Sequence, residues 1–403
     1  MKSTAKTLLS VAIAAAVGTL ANPAAAEESA TFSDALKNGT VKGNFRLRYE
    51  DVGNTASNDA LTLRSRLTFQ SAEYNGFSGL LEMDDVSIIG SENFTGIADP
   101  EGTEINQSWI KYDFGKSDLK FGRQRINLDN QRFVGGVGFR QNEQTYDAIS
   151  YTDKHLKDTT VFVVNINNVN RIFGESSPIG DHDNDTVLFN ANYTGFEGGK
   201  LSVYAYLLEN NNVALYSTDT WGIRYSGKAS DAFSYSLEYA RQTDAANNPL
   251  DYSAGYLLLE GSLQTKPVKL TLGYEVLGSD NGDTGGSLLN DGRFITPLAT
   301  LHKFQGWTDM FIAGGTGNID TGVEDLYFSV SGKAGGFKLA FVYHDFSADK
   351  ASASVDSLGS EWGFLVARKI NDNLNLSLKY ADYSADDFGT DTEKLWLTAQ
   401  FNF

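Results

Sequence analysis

The chain has 403 residues, with 33 basic and 51 acidic side chains and a formal charge of −18. So acidic a chain is a poor nucleic-acid binder, and the absence of cysteine excludes disulfides. Forty glycines, 19 tyrosines and 25 phenylalanines beside only six prolines suit a sheet protein with many tight turns.

Lys2 and Lys6 precede an uncharged, Ala-rich stretch from Leu8 to Leu20, and Ala24-Ala25-Ala26 precedes Glu27-Glu28. Basic, apolar and small residues in that order predict an export signal over 1–26, cleaved after Ala26. Beyond it no run of about 18 apolar residues occurs, so no membrane-spanning helix is predicted. Residues 27–40 are polar and featureless, a short periplasmic segment ahead of a domain spanning 41–403.

From Val41 one pattern repeats to the last residue. Candidate strands lie at 41–50, 60–71, 76–86, 104–114, 117–125, 143–152, 158–166, 184–194 and 199–208. Nine more follow at 218–229, 232–243, 252–265, 267–277, 322–334, 336–346, 360–370, 373–383 and 393–403. Apolar and polar residues alternate along them, the period of a strand with two different faces. Phe45, Leu47 and Tyr49 share one face of the first strand, and Lys42, Asn44, Arg46, Arg48 and Glu50 the other.

Every second connection is long. Asn75-Gly76, Ser230-Asp231 and Lys266-Pro267 mark short turns, whereas 126–142 and 278–321 are notable among the long loops. That rhythm fits a membrane barrel with short periplasmic turns and long external loops. In lipid an unpaired backbone group costs several kcal/mol, so the sheet must close on itself. The expected fold is all-β: a single 18-stranded antiparallel transmembrane barrel with apolar residues outward and both termini periplasmic. Aromatics near strand ends, among them Phe77, Tyr112, Phe233, Phe337 and Phe403, are expected to form interfacial girdles.

The text LKFGRQRINLDNQRFVGGVGFRQNEQTYDAISY, from Leu119 to Tyr151, resembles the alginate-export family of outer-membrane barrels. It carries Gly122-Arg123-Gln124, Asn130-Gln131-Arg132 and Thr145-Tyr146-Asp147 in that family's order. A second block, FITPLATLHKFQGWTDMF from Phe294 to Phe311, resembles the family's late loop through His302, Gly306 and Asp309. The resemblance implies an 18-stranded barrel with a partly gated lumen, whose best-known type exports an acidic polysaccharide past basic lumen residues. The terminal Phe403 resembles the signature read by barrel assembly machinery.

Strand parity nominates the lumen residues. Arg46, Arg48, Arg64 and Arg66 fall inward on the first two strands, with Lys379 and Lys394 inward on the last two. Closure makes these one basic wall. Lys111, Arg224 and Lys269 are further inward cations; Glu82, Asp84, Glu238 and Glu275 are inward acids. Such walls can orient permeating solutes, or pair with one another and simply fill a polar lumen. In 126–142, Arg132 and Arg140 lie among Gly135, Gly136 and Gly138, which allow a folded-in, constricting course. The less polar 294–311 block, with His302 and Asp309, is expected to pack as a plug or lid.

Asp181, Asp183 and Asp185 with His182, and separately Asp280 and Asp283, lack the spacing of a dedicated calcium loop. They stand as weak calcium candidates; no cofactor is expected. No Gly-x-Ser-x-Gly elbow occurs, and no enzyme is predicted. The expected function is passive, moderately selective diffusion of small hydrophilic solutes across an outer membrane of lipid and lipopolysaccharide. Export or uptake of an anionic saccharide is the alternative, and a non-conducting surface protein the third reading. A monomer is expected, with a trimer the other option.

Overall fold

The computed structural model describes residues 31–54, 58–90, 97–280, 292–352 and 354–403. The predicted export signal, and Gly282, Asp283, Gly285 and Gly286 of the longest loop, lie outside the described residues.

The first nine strands are β1 (Thr40–Gly53), β2 (Asn58–Gln70), β3 (Phe77–Gly90), β4 (Gly102–Asp113), β5 (Ser117–Gln124), β6 (Thr145–Asp153), β7 (Thr159–Asn170), β8 (Asp181–Tyr193) and β9 (Gly199–Leu207). The second nine are β10 (Thr218–Lys228), β11 (Phe233–Asp244), β12 (Ser253–Gln264), β13 (Val268–Leu277), β14 (Val323–Ala334), β15 (Phe337–Ser347), β16 (Ser357–Lys369), β17 (Leu374–Ala385) and β18 (Thr392–Asn402). Each pairs antiparallel with its chain neighbours, and β18 pairs with β1 from Asn44↔Asn402 to Gly53↔Glu393, closing the barrel. No sheet edge is left for lipid to desolvate.

The alternation behaves as in a membrane barrel. Phe45 and Leu47 are 40% and 39% exposed, whereas Arg46, Arg48 and Glu50 between and beside them are 5%, 4% and 2% exposed. Charge is buried and hydrocarbon displayed, the inverse of a water-soluble sheet. At the short-turn end, Phe77 meets Tyr112, which meets Phe114, and Phe45 stacks on Phe403. Tyr193, Phe196 and Tyr225 continue the aromatic belt.

Two differences from the expected elements have local causes. Residues 27–40 read as featureless, yet Phe32–Lys37 form a short helix, α1. The Thr31 side chain caps it by accepting from Asp34 N at 3.1 Å, and Ala35 is buried beneath it. β16 begins at Ser357 rather than near 360, because Gly359 sits at φ +111° and breaks the alternation without ending the pairing.

The principal hydrophobic cluster lies inside the barrel. Inward Tyr204, Tyr206, Tyr256 and Leu258 meet Phe133 from the β5–β6 loop and Phe294 and Leu298 from the β13–β14 loop. The lumen is therefore partly packed by protein.

Candidate functional site

The β5–β6 loop crosses the barrel. At one end Asp129 accepts from Asn190 of β8 at 2.7 Å, and from Lys200 and Ser202 of β9 at 2.8 and 2.7 Å. Burial pushes the Asp129 carboxyl up, but these donors outweigh it and hold its pKa below the usual range. Arg132, fully buried, forks onto Glu275 of β13 with contacts of 2.8 and 3.2 Å, and lies 4.8 Å over the Phe304 ring. Phe133 fits among Tyr204, Tyr256 and Phe294 with ring centroids 5.1–5.7 Å apart.

At its other end the loop lies on β1 and β2, half a turn round the barrel from β9 and β10. Four successive carbonyls, Gly138 to Gln141, accept from the basic wall. Arg46 donates to Gly138 O at 3.0 Å and also to Arg140 O; Arg48 donates to Phe139 O at 2.6 Å, and Arg64 to Gln141 O at 3.3 Å. The Gln141 amide oxygen accepts from Arg46 Nε at 2.8 Å, and its nitrogen donates to Thr62 Oγ1 at 2.9 Å. Charge-assisted donors thus satisfy a run of loop carbonyls that the lumen would otherwise strand.

The β13–β14 loop joins the crossing. Val134 and Leu298 form a parallel bridge. His302 stacks on Phe139 with centroids 3.7 Å apart. His302 Nδ1 bonds Asp309 at 2.8 Å and its Nε2 faces Lys379 Nζ at 2.7 Å. Burial first, and Lys379 beside it, push the His302 pKa down to about 3. Asp309 also takes Lys394 at 3.1 Å and Arg140 at 3.4 Å. Burial raises its pKa, but His302, Lys394 and Arg140 outweigh that and hold the carboxyl well below the carboxylate range. Arg140 further pairs with Glu50 at 2.9 Å. Glu361 of β16 accepts from the Trp307 and Thr308 amides. Trp307 presses on Gly363, where an added Cβ would lie 2.6 Å from the ring.

Arg46, Arg48 and Arg64 point inward, but they are buried beneath the loop instead of bordering open water. Arg66 forks onto Asp84 and reaches Glu143 of the loop at 2.6 Å. Glu82 accepts from Thr68, Asn106, Gln107 and Arg125. Arg224 is paired with Glu238, which also accepts from Tyr204 at 2.9 Å. Lys111 lies 3.3 Å from Asp113 near the short-turn end, and Lys269 is exposed at the start of β13. The basic wall is thus a seat for the loop, because loop carbonyls and carboxylates satisfy most of its donors.

Asp181, Asp183 and Asp185 all lie on the exposed face of β8, and among the described residues no group of three or more His, Cys, Asp or Glu could hold a metal. An extended strand spaces alternate carboxylates too widely to converge on one ion. Arg123 bonds Asp147 and Glu175 at 2.8 and 2.7 Å; Arg125, past the end of β5, turns to Glu143 and Glu82.

Sequence reading missed the aromatic cage around Lys379. Its Nζ lies 4.1 Å from the Trp307 ring, 4.7 Å from Phe139 and 5.2 Å from Trp396. One signal was present: Trp396 occupies an inward position between Lys394 and Thr398, where a water-filled lumen would call for a polar residue.

Residues 40–267 match the alginate export family. No curated protein matches the chain. Among solved structures, OccAB1 of Acinetobacter baumannii aligns over 94% of this chain and 99% of its own, at 14% identity and a TM-score of 0.71. OccK9 (OpdG) of Pseudomonas aeruginosa covers 92% and 99% at 13% identity, with a TM-score of 0.70. OpdK of the same organism, solved with vanillate, covers 91% and 99% at 13% identity, with a TM-score of 0.69. At these identities the structural likeness speaks for the 18-stranded fold, while the match over 40–267 speaks for descent. The chain belongs to the alginate export family, and is a porin-like β-barrel channel of the Gram-negative outer membrane.

Proposed function

We propose that this channel serves passive, selective diffusion of small hydrophilic solutes and performs no catalysis. The observation that carries the reading is the β5–β6 loop, stitched to β8, β9 and β13 on one side and to β1 and β2 on the other. A loop anchored on both walls narrows the route and suits small molecules better than a polymer. In this reading the long loops are external, both termini are periplasmic, and the barrel acts as a monomer. Strand β18, with Phe403 just beyond it, engages the assembly machinery. A second reading, passage of an anionic saccharide, draws support from the family match over 40–267.

Planar-bilayer recording in molar KCl tests the reading. The intact chain is expected to give small, steady openings, and removal of residues 133–139 to raise the conductance several-fold. A folded barrel that conducts in neither form would overturn it. Block of the intact channel by uronate oligomers, absent with neutral oligosaccharides, would favour the saccharide reading.

A further inference from the structure

On the long-loop side of the crossing lies a cavity of about 430 Å³. That is within the range of small-molecule sites, about 300–1,000 Å³. Its floor includes Arg140, His302 and Asp309, already bound to one another or to the barrel wall. Its sides are largely apolar: Ile172, Phe173, Ile179, Val213, Pro297 and Ile312.

Arg171, between β7 and β8, is the cation on the side of this cavity. Arg132, Arg140 and Arg66 each hold a carboxylate. Arg171 holds none. Its Nη1 makes two long contacts, 3.4 Å to Ile179 O and 3.4 Å to His182 Nε2, and its guanidinium lies 4.9 Å from the Phe173 ring centre. Among the described residues no carboxylate lies within ion-pair distance of it, in a chain with 51 acids to supply one. Burial lowers its pKa, as expected of a guanidinium that loses water without gaining a counter-charge. His182 offers Arg171 no acceptor. Its Nδ1 faces the Asn210 amide nitrogen at 2.9 Å and so accepts, which leaves the ring proton on Nε2, toward Arg171.

An unpaired guanidinium beside apolar walls is costly until an anion arrives, and its planar fork matches a carboxylate. We infer that this cavity is a binding site for small monocarboxylates with an aliphatic body, the carboxylate held by Arg171 and the body by Ile172, Val213, Pro297 and Ile312. A polyhydroxylated acid would leave its hydroxyls unpaired against those walls. The site stands above the constriction, so it would concentrate such solutes at the entrance to the route. This inference rests on the channel reading and names its substrate class.

The test is calorimetric titration of the full chain in detergent with cyclohexanecarboxylate. Cyclohexanecarboxamide serves as the uncharged isostere and gluconate as the hydrophilic anion. Saturable binding of the carboxylate is expected, with both controls at least tenfold weaker. Arg171→Gln should weaken the carboxylate at least tenfold, and Arg171→Lys less. Val213→Asp, which places a carboxylate in the same cavity, should abolish binding. Heat-dependent gel migration confirms that each variant is a folded barrel. Equal binding by Arg171→Gln, equal binding of gluconate, or no binding at all would overturn the site. Conductance of the same preparations in KCl separates the two claims. Conduction without binding removes the site alone, whereas binding without conduction removes the channel reading.

Discussion

The two walls that hold the β5–β6 loop use different chemistry. On the β8–β13 side the loop is buried through rings: Phe133 sits among tyrosines, Arg132 forms a dry pair with Glu275, and Asp129 takes Lys200. On the β1–β2 side the loop is held by its own backbone, with arginine donors on four consecutive carbonyls and ion pairs around Arg140 and Asp309. The first side resembles a protein core, where loss of a partner is severe. The second is a lattice of charge-assisted bonds, several of which back one another up. The ring-lined side should therefore act as the fixed end of the loop, and the arginine wall as the end that can loosen.

Arg132→Met is the harshest break of the fixed end. It strands Glu275, which is 3% exposed, without its cation. Removing one partner of a buried pair costs about 3–5 kcal/mol. Urea unfolding in lipid vesicles should show a loss of that order, with a rise in conductance. The double variant Arg132→Met/Glu275→Gln should recover much of it, because no uncompensated charge remains. A double variant as unstable as the single one would mean that the pair is not what anchors this end.

The alternation made the barrel legible, because every lipid-facing position is constrained by the same solvent. Arg46, Arg48, Arg64 and Arg66 could be assigned inward from their neighbours alone. What they touch could not. Gln141 lies 95 residues from Arg46 in the chain, and Arg132 lies 143 from Glu275. No local pattern encodes such pairings. The glycines of 126–142 allowed an inward course, but the contact that fixes it, Asp129 of the loop with Lys200 and Ser202 of the far wall, carries no periodic signal. Tyr204, Tyr206, Tyr256 and Trp396 at inward positions were the readable hint of a packed lumen. Arg171 sits in an irregular loop, and only the three-dimensional absence of an acid among the described residues sets it apart.

A milder break addresses the other wall. Arg48→Met removes the donor to Phe139 O and the cation 4.3 Å over the Phe139 ring. A hydrogen bond from a charged group contributes about 1.5–3 kcal/mol. Arg46 and Arg64 still hold neighbouring carbonyls, so the loss should sit at the lower end of that range. The expected signature is flickering current with a smaller loss in unfolding than Arg132→Met shows, since the ring-lined end stays fixed. Unchanged current noise would show that this wall does not limit loop motion.

Acid should act on the same wall still more gently. Burial and the facing Lys379 ammonium depress His302 to about 3, below the ordinary histidine value of about 6.5. Between those values the unfolded chain binds a proton that the folded hub refuses. Stability is therefore complete above pH 6.5 and falls as pH drops toward 3, by at most about 1.4 kcal/mol per pH unit for one proton. Asp309, held below the carboxylate range, acts in the same direction but only at still lower pH. Between pH 7 and 5.5 the loop should thus loosen slightly at the β17–β18 side, seen as more frequent openings, while the Arg132–Glu275 end is unmoved. His302→Gln has no proton to gain and should flatten that dependence. If the variant keeps the full pH response, the sensitivity lies in some other group and the hub around Asp309 is not its source.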